Sequence, residues 1–211
     1  MTSTIYTKNG DIVFEEKNFS NPKLIDLIKS TNNLLLVKKV LDKNKVKFGL
    51  MFGTLLGAVR EGNFIEHDED IDLFVLEEDK DALINTLHEL LDIGFKVCRY
   101  DGELLSIIRD NEYIDFYFFR KYLLFYRKSS AGLTYKSAFL QETKSQAFLG
   151  TTFQVPKETE SFLKVLYGVN WKIPIKNTGA MSYSKYIIMR EKFKVRFPWM
   201  FKVISKIKSK L

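Results

Sequence analysis

Residues Phe52 to Leu76 read FGTLLGAVREGNFIEHDEDIDLFVL. Asp68, Asp70 and Asp72 are spaced by two, and side chains at that spacing share one face of an extended chain. Leu73, Phe74, Val75 and Leu76 follow at once, so the acids stand where a strand enters the core. Like charges crowded there repel, and partly buried carboxylates are costly unless a cation lies among them. Mg²⁺ takes oxygen ligands and keeps waters and substrate phosphates in its shell. The expected cofactor is therefore Mg²⁺ or Mn²⁺, with Asp68, Asp70 and Asp72 as its ligands and Asp70 and Asp72 in catalysis.

Earlier in the segment, Lys47–Phe52 predicts a short strand and Leu55–Arg60 a short helix. Gly53-Thr54 fall between them. A glycine there lets a phosphate approach the backbone, and a helix start offers free N–H groups. Arg60 is a candidate to neutralise phosphate oxygens, and His67, beside the acids, to touch substrate. Acids alone would read as a surface turn; acids beside a phosphate cradle read as a phosphoryl-transfer site. Asp115 is the fourth acid. It interrupts the apolar run Tyr113–Phe119, so it needs a partner: a metal, a proton in transit as general base, or a salt bridge such as Arg109.

Around this segment the chain alternates helices with strands. Pro22–Lys43 and Asp79–Ile93 carry apolar residues at helical spacing, the second stopped at Gly94. TIYTKNGDIVFEE reads as a hairpin around Asn9-Gly10. Leu104–Arg109 and Tyr113–Phe119 read as a second hairpin, and Lys121–Arg127 as a further strand. Ala147–Val155 is expected to be extended, with Pro156 opening a helix to Tyr167. The order predicts an α+β fold, a mixed sheet flanked by helices. His88 is expected on a solvent-facing helix surface, and Cys98 as a small buried strand residue.

At 211 residues the chain suits one domain with an appendage. Its one cysteine excludes an internal disulfide and a zinc cluster. No signal peptide or membrane-length apolar run is evident, which points to a cytoplasmic protein. The net charge is +7, and from Arg190 to Leu211 eight Lys or Arg stand against one acid, Glu191, which accounts for the whole excess. The body is neutral, so nucleic acid is not an expected partner.

Phe52–Leu76 resembles the signature of the LicD family, which includes the fukutin-related transferases within the polymerase-beta-type nucleotidyltransferases. GTLLGAVR and the DEDID acids carry the likeness. A second stretch, Leu166-Tyr167-Gly168 with Asn170-Trp171 and Pro174, resembles the family's C-terminal element. Two departures stand out: Glu66 and His67 occupy the place of a usual Pro-Trp, and Asn170 replaces an acid. The resemblance implies a nucleotidyltransferase-type sheet over residues 1–183. It also implies transfer of a phospho-alcohol (phosphocholine, phosphoribitol or phosphoglycerol) from a CDP-activated donor to a sugar hydroxyl of a cell-surface glycan, releasing CMP. Asp115 or Asp72 would take the acceptor proton. Two other readings compete: a nucleotidyltransferase that releases pyrophosphate, and a non-catalytic member of a glycan-assembly complex.

Residues 184–211 predict a basic amphipathic helix. Met200, Val203, Ile204, Ile207 and Leu211 recur at helical spacing among Lys202, Lys206, Lys208 and Lys210, behind Trp199 and Phe201. Such a helix suits peripheral contact of residues 198–211 with the inner face of a bacterial membrane, where a lipid-linked glycan acceptor would lie.

Overall fold

A computed structural model describes residues 2–17 and 24–174. The chain divides into two compact units, the second starting at Glu160. The basic segment 184–211 lies outside the described residues. Among those described, no helix is long and apolar enough to cross a membrane.

The first unit opens with the hairpin β1 (Thr2–Ile5) and β2 (Ile12–Glu15), whose loop holds Asn9-Gly10 and turns where the Gly10 N–H donates to the Thr7 carbonyl at 3.4 Å. Helix α1 (Leu27–Lys43) starts at Asp26, whose carboxylate accepts the N–H groups of Ile28 and Lys29 at 3.2 Å each. Leu34, Val37 and Leu41 form its buried stripe. A two-residue strand, β3 (Gly49–Leu50), leads into α2 (Phe52–Arg60), then β4 (Ile71–Leu76), α3 (Glu77–Asp92) and β5 (Lys96–Tyr100). Three acids in the first turn of α3 complement its dipole, and Gly94, at φ +94°, ends it.

Strands β6 (Leu104–Arg109) and β7 (Glu112–Tyr122) form the expected second hairpin. Then come β8 (Tyr126–Lys128), β9 (Thr134–Lys136), the short helix α4 (Ser137–Gln141) and the hairpin β10 (Thr143–Phe148) and β11 (Thr151–Pro156). The main sheet runs β3-β4-β7-β6-β5, with β8 and β9 extending it beyond β7. It is mixed: β4 and β7 are parallel, and the other pairs are antiparallel.

Alternation assigns the two faces. Leu73, Val75, Phe116 and Phe118 lie on the face covered by α1 and α3; the Lys80 ammonium of α3 sits 5.2 Å from the Phe118 ring centre, and Ser30 of α1 donates to Glu112 at 3.1 Å. Asp72, Phe74, Asp115 and Tyr117 lie on the other face, where Phe52, at the start of α2, packs edge-on to Tyr117 at 4.9 Å.

Four expectations change. The stretch Ala147–Val155, expected to be extended, turns at Leu149-Gly150 between β10 and β11. The strand expected over Lys121–Arg127 is a turn: β7 continues to Tyr122 and β8 starts at Tyr126. Pro156 ends β11 instead of opening a helix; α5 (Thr159–Tyr167) starts three residues later. His88 is half-buried, with Nε2 3.0 Å from the Thr7 hydroxyl and 3.2 Å from the Gly10 carbonyl oxygen, so it pins the first hairpin onto α3. Cys98 is buried in β5 as expected, and burial pushes its thiol up to about 12. In the second unit, α5 ends at Gly168, φ +86°, and Trp171 is buried.

Candidate active site

The β3–α2 junction is tied to the start of β4 by three hydrogen bonds around Asp72. The Met51 N–H donates to the Asp72 carbonyl at 3.0 Å. The Asp72 N–H donates to the Thr54 hydroxyl at 2.9 Å. The Gly53 N–H donates to the Asp72 carboxylate at 3.3 Å. Phe52 accommodates the sharp entry into α2 at φ +40°, a left-handed conformation rarely taken by a bulky residue. Its buried ring on Tyr117 holds that turn in place.

The connector from Glu61 to Asp70 folds back along α2. Gly53 and Gly57, four apart, lie on one helix face. A Cβ at Gly57 would stand 2.5 Å from the Asn63 carbonyl, and one at Gly53 would stand 2.0 Å from Asp68 Oδ2. The missing side chains make room for the connector and bring the Asp68 carboxylate against the start of the helix.

The register of the sheet completes the site. Asp72 on β4 is the direct neighbour of Asp115 on β7. Ser106 on β6 faces Asp115 from the other side, and Arg99 on β5 faces Ser106. Asp72, Asp115, Ser106 and Arg99 thus form one row across four strands. Arg99 donates from Nη2 to Asp115 Oδ2 at 2.6 Å and from Nε to the Ser106 hydroxyl at 2.9 Å. Asp115 Oδ1 is buried and has no hydrogen-bond partner.

The carboxylates raise one another's proton affinity. Burial lifts Asp68 to about 6. Burial, then the charges of Asp115 and Asp68, lift Asp70 to about 8. Burial, then Asp70 and Asp68, hold Asp72 well above the ordinary carboxylate range. Asp115 is raised by burial and pulled back by Arg99. One arginine, Arg99, faces this group of carboxylates, an imbalance of charge that a divalent cation would relieve. The donors are all oxygens, as magnesium or manganese prefers. Among the described residues, no three Asp, Glu, His or Cys side chains are already gathered about one point. A cation here fits as one held by two carboxylates, with water and substrate phosphate filling the shell, which magnesium accepts.

The residues of the expected phosphate cradle make contacts within the chain. The close approach that requires Gly53 is made by the Asp68 carboxylate, and its N–H is committed to Asp72. Thr54 is fully buried and positions the Asp72 backbone. Arg60 sits at the far end of α2, about 10 Å along the axis from Gly53 at 1.5 Å per residue, and pairs with Glu61. His67 is exposed on the connector, next to Asp68. The salt-bridge partner of Asp115 is Arg99 instead of Arg109, which binds Asn33 and Asp110 on the helix-covered side.

Residues 45–158 match the family model described as LicD/FKTN/FKRP, nucleotidyltransferase domain. The chain belongs to the LicD family. Among the relatives of this LicD chain, ribitol-5-phosphate transferase FKTN of Homo sapiens is 30% identical over 158 residues, covering 70% of the chain and 34% of that protein. An uncharacterized protein of Rickettsia prowazekii is 36% identical over 74 residues, covering 35% of the chain and 26% of that protein. The LicD chain thus spans about a third or less of the length of these curated relatives. Among solved structures, the antibiotic-resistance factor ANT(2'')-Ia is similar with a TM-score of 0.52 at 11% identity, over 88% of this chain and 100% of that one. That likeness is one of fold: a nucleotidyltransferase sheet.

Arg99 was not visible as a site residue in the sequence, and its role is testable. Arg99→Gln removes the charge that lowers the proton affinity of Asp115. We expect kcat to fall by about 10²-fold, the scale of losing one positioned charge partner, and the acid limb of the rate profile to move to higher pH. Arg99→Lys should restore the pH profile in part. A pH–rate series on the three proteins checks this; an unmoved acid limb in Arg99→Gln would exclude the coupling.

Proposed function

We propose that this chain is a metal-dependent phosphotransferase that moves a phospho-alcohol from a CDP-activated donor to a sugar hydroxyl of a glycan and releases CMP. The in-register pair Asp72–Asp115, with one buried Asp115 oxygen unpartnered, carries the reading. Among the alcohols, the likeness to ribitol-5-phosphate transferase FKTN favours phosphoribitol.

In this reading Asp70 and Asp72, with Asp68 beside them at the start of α2, would hold Mg²⁺ or Mn²⁺. When bound, the ion would neutralise the donor diphosphate and the charge that builds on departing CMP. Arg99 holds Asp115 by Oδ2, and the buried Oδ1 is left without a hydrogen-bond partner, so it is the oxygen free to take a proton. With its raised proton affinity, Asp115 accepts the hydroxyl proton on Oδ1. The acceptor oxygen forms its bond to the phosphorus bearing the alcohol as the bond to CMP breaks. Positioning and charge compensation supply the rate. His67, exposed on the connector, would meet substrate from the solvent side.

The released product tests this. The purified chain is incubated with Mg²⁺, CDP-ribitol, CDP-glycerol or CDP-choline and a glycan acceptor, and the supernatant is analysed for CMP and pyrophosphate. CMP in step with phospho-alcohol on the acceptor is the expected result. Pyrophosphate from a nucleoside triphosphate, with no CMP from any CDP-alcohol, would make the chain a nucleotidyltransferase instead. Asp70→Ala should abolish turnover in a protein that still melts cooperatively; full activity in that variant would remove the carboxylates from the mechanism.

A further inference from the structure

The turn between β7 and β8 breaks the usual rules of turn chemistry. Hairpin apices favour Gly, Asn, Asp or Ser, and this one reads Tyr122-Leu123-Leu124-Phe125-Tyr126. Tyr122 and Tyr126 are the last paired residues. Leu123 is 71% exposed, Leu124 84% and Phe125 68%. Leu123 also sits at φ +57°, where a glycine or asparagine would be less strained. A run of exposed apolar residues at a strained apex lowers solubility without adding to the core, and such a patch marks a contact. The apex is also fixed in place: the Ser137 N–H at the start of α4 donates to the Phe125 carbonyl at 2.8 Å.

A basic collar stands beneath it. From Phe116 to Gln141 the chain holds five cations and no acid; Arg127 is buried, which leaves Arg120, Lys121, Lys128 and Lys136 as the collar. Arg120 lies directly across from Lys128, and Lys121 across from Arg127, two like-charge rungs that weaken a hairpin in water. Glu103 partners Arg120, and Glu78 partners Arg127 and Lys121, so Lys128 and Lys136 carry the excess charge.

We propose that the Tyr122–Tyr126 tip is a docking loop that inserts into an anionic lipid surface, its tyrosines at the headgroup level and its collar on the lipid phosphates. The shape favours lipid over a protein groove. The tip is convex, and side chains at a turn apex diverge, so a fluid interface can surround all three while a single groove would bury one or two. Aromatic flanks and basic residues are the chemistry of that interface. The rise of β7 places the tip roughly 23 Å from Asp115, so a docked tip leaves the active site open.

The test uses the full chain with phosphatidylcholine vesicles, with and without phosphatidylglycerol, and needs no substrate, so its outcome is independent of the transfer reaction. We expect the wild type to sediment with the anionic vesicles, less so at high salt. Leu124→Glu/Phe125→Glu should lower the partition coefficient at least about tenfold without changing the melting temperature. A second readout separates the tip from residues 198–211. An environment-sensitive fluorophore on Leu124→Cys, with Cys98 buried and unreactive, should shift to the blue on anionic vesicles alone. Sedimentation without that shift, equal binding by the double variant, or no binding by the wild type would overturn the proposal. So would a lipid-free dimer that the double variant dissolves, which would make the tip a self-association surface.

Discussion

Asp72→Asn should lower kcat by about 10³-fold or more while raising the melting temperature of the metal-free protein. The two effects share one cause. Asp72 is buried beside Asp115 and lies among the charges of Asp70 and Asp68. Ionising it there carries a cost that a bound cation would offset. Asparagine keeps the shape and can still accept the Gly53 N–H, so the β3–α2 junction is preserved. The same charges set a pH dependence. Asp68 holds its proton to about 6 and Asp70 to about 8 in the folded chain, whereas an unfolded Asp releases it near 3.9. Between about pH 4 and pH 8 the folded state therefore binds more protons than the unfolded state, and stability falls as pH rises through that window. Saturating Mg²⁺ should flatten the dependence, because it stabilises the ionised carboxylates. Thermal melts of both proteins from pH 5 to 8.5, with and without Mg²⁺, check this. A metal-free wild type that gains stability with pH, or a variant that melts lower, would contradict it.

The residues that were legible in the sequence are those whose signal is local. The Ile71–Leu76 strand with its leading acids, the β6–β7 hairpin and the stop at Gly94 follow from run length, turn residues and the missing Cβ. Asp115 stood out because an acid inside an apolar run needs a reason. Arg99 gave no such signal, and the cause is physical. A regular β5 that pairs Val97 with Ile107 would set Cys98 against Ser106 and send Arg99 to the helix-covered face. A bulge between Val97 and Arg99 instead sets Arg99 against Ser106. One extra residue reverses the face of everything after it, and periodicity alone cannot place a bulge. The task of Gly53 was likewise hidden. Sequence showed a glycine at a strand-to-helix junction; only the folded connector shows that the group approaching it is the Asp68 carboxylate. The turn at Leu123–Phe125 was read as strand for the same reason it is unusual: its residues have strand chemistry in a turn position.

Gly53→Ala is the second large effect, and its sign is opposite to the usual one. In a helix, alanine in place of glycine stabilises by roughly 0.5–1 kcal/mol. Here the added Cβ would stand 2.0 Å from Asp68 Oδ2 and 2.8 Å from its Cγ, so either the carboxylate leaves the start of α2 or the helix start shifts. Either movement disturbs the Gly53 N–H bond to Asp72 and the spacing of the acids. A displacement on the ångström scale at a reacting centre costs about 10²-fold in rate, so we expect kcat to fall by that order while the fold persists. The side chain responsible can be removed. In an Asp68→Ala background the obstructing carboxylate is gone, and Gly53→Ala should then leave stability unchanged or raise it. The two substitutions are therefore strongly non-additive. A cycle of four proteins, each measured by thermal melting and by turnover, reads this directly. Independent, additive effects would show that Gly53 and Asp68 do not meet as the structure places them, and that the glycine serves the approach of a substrate phosphate instead.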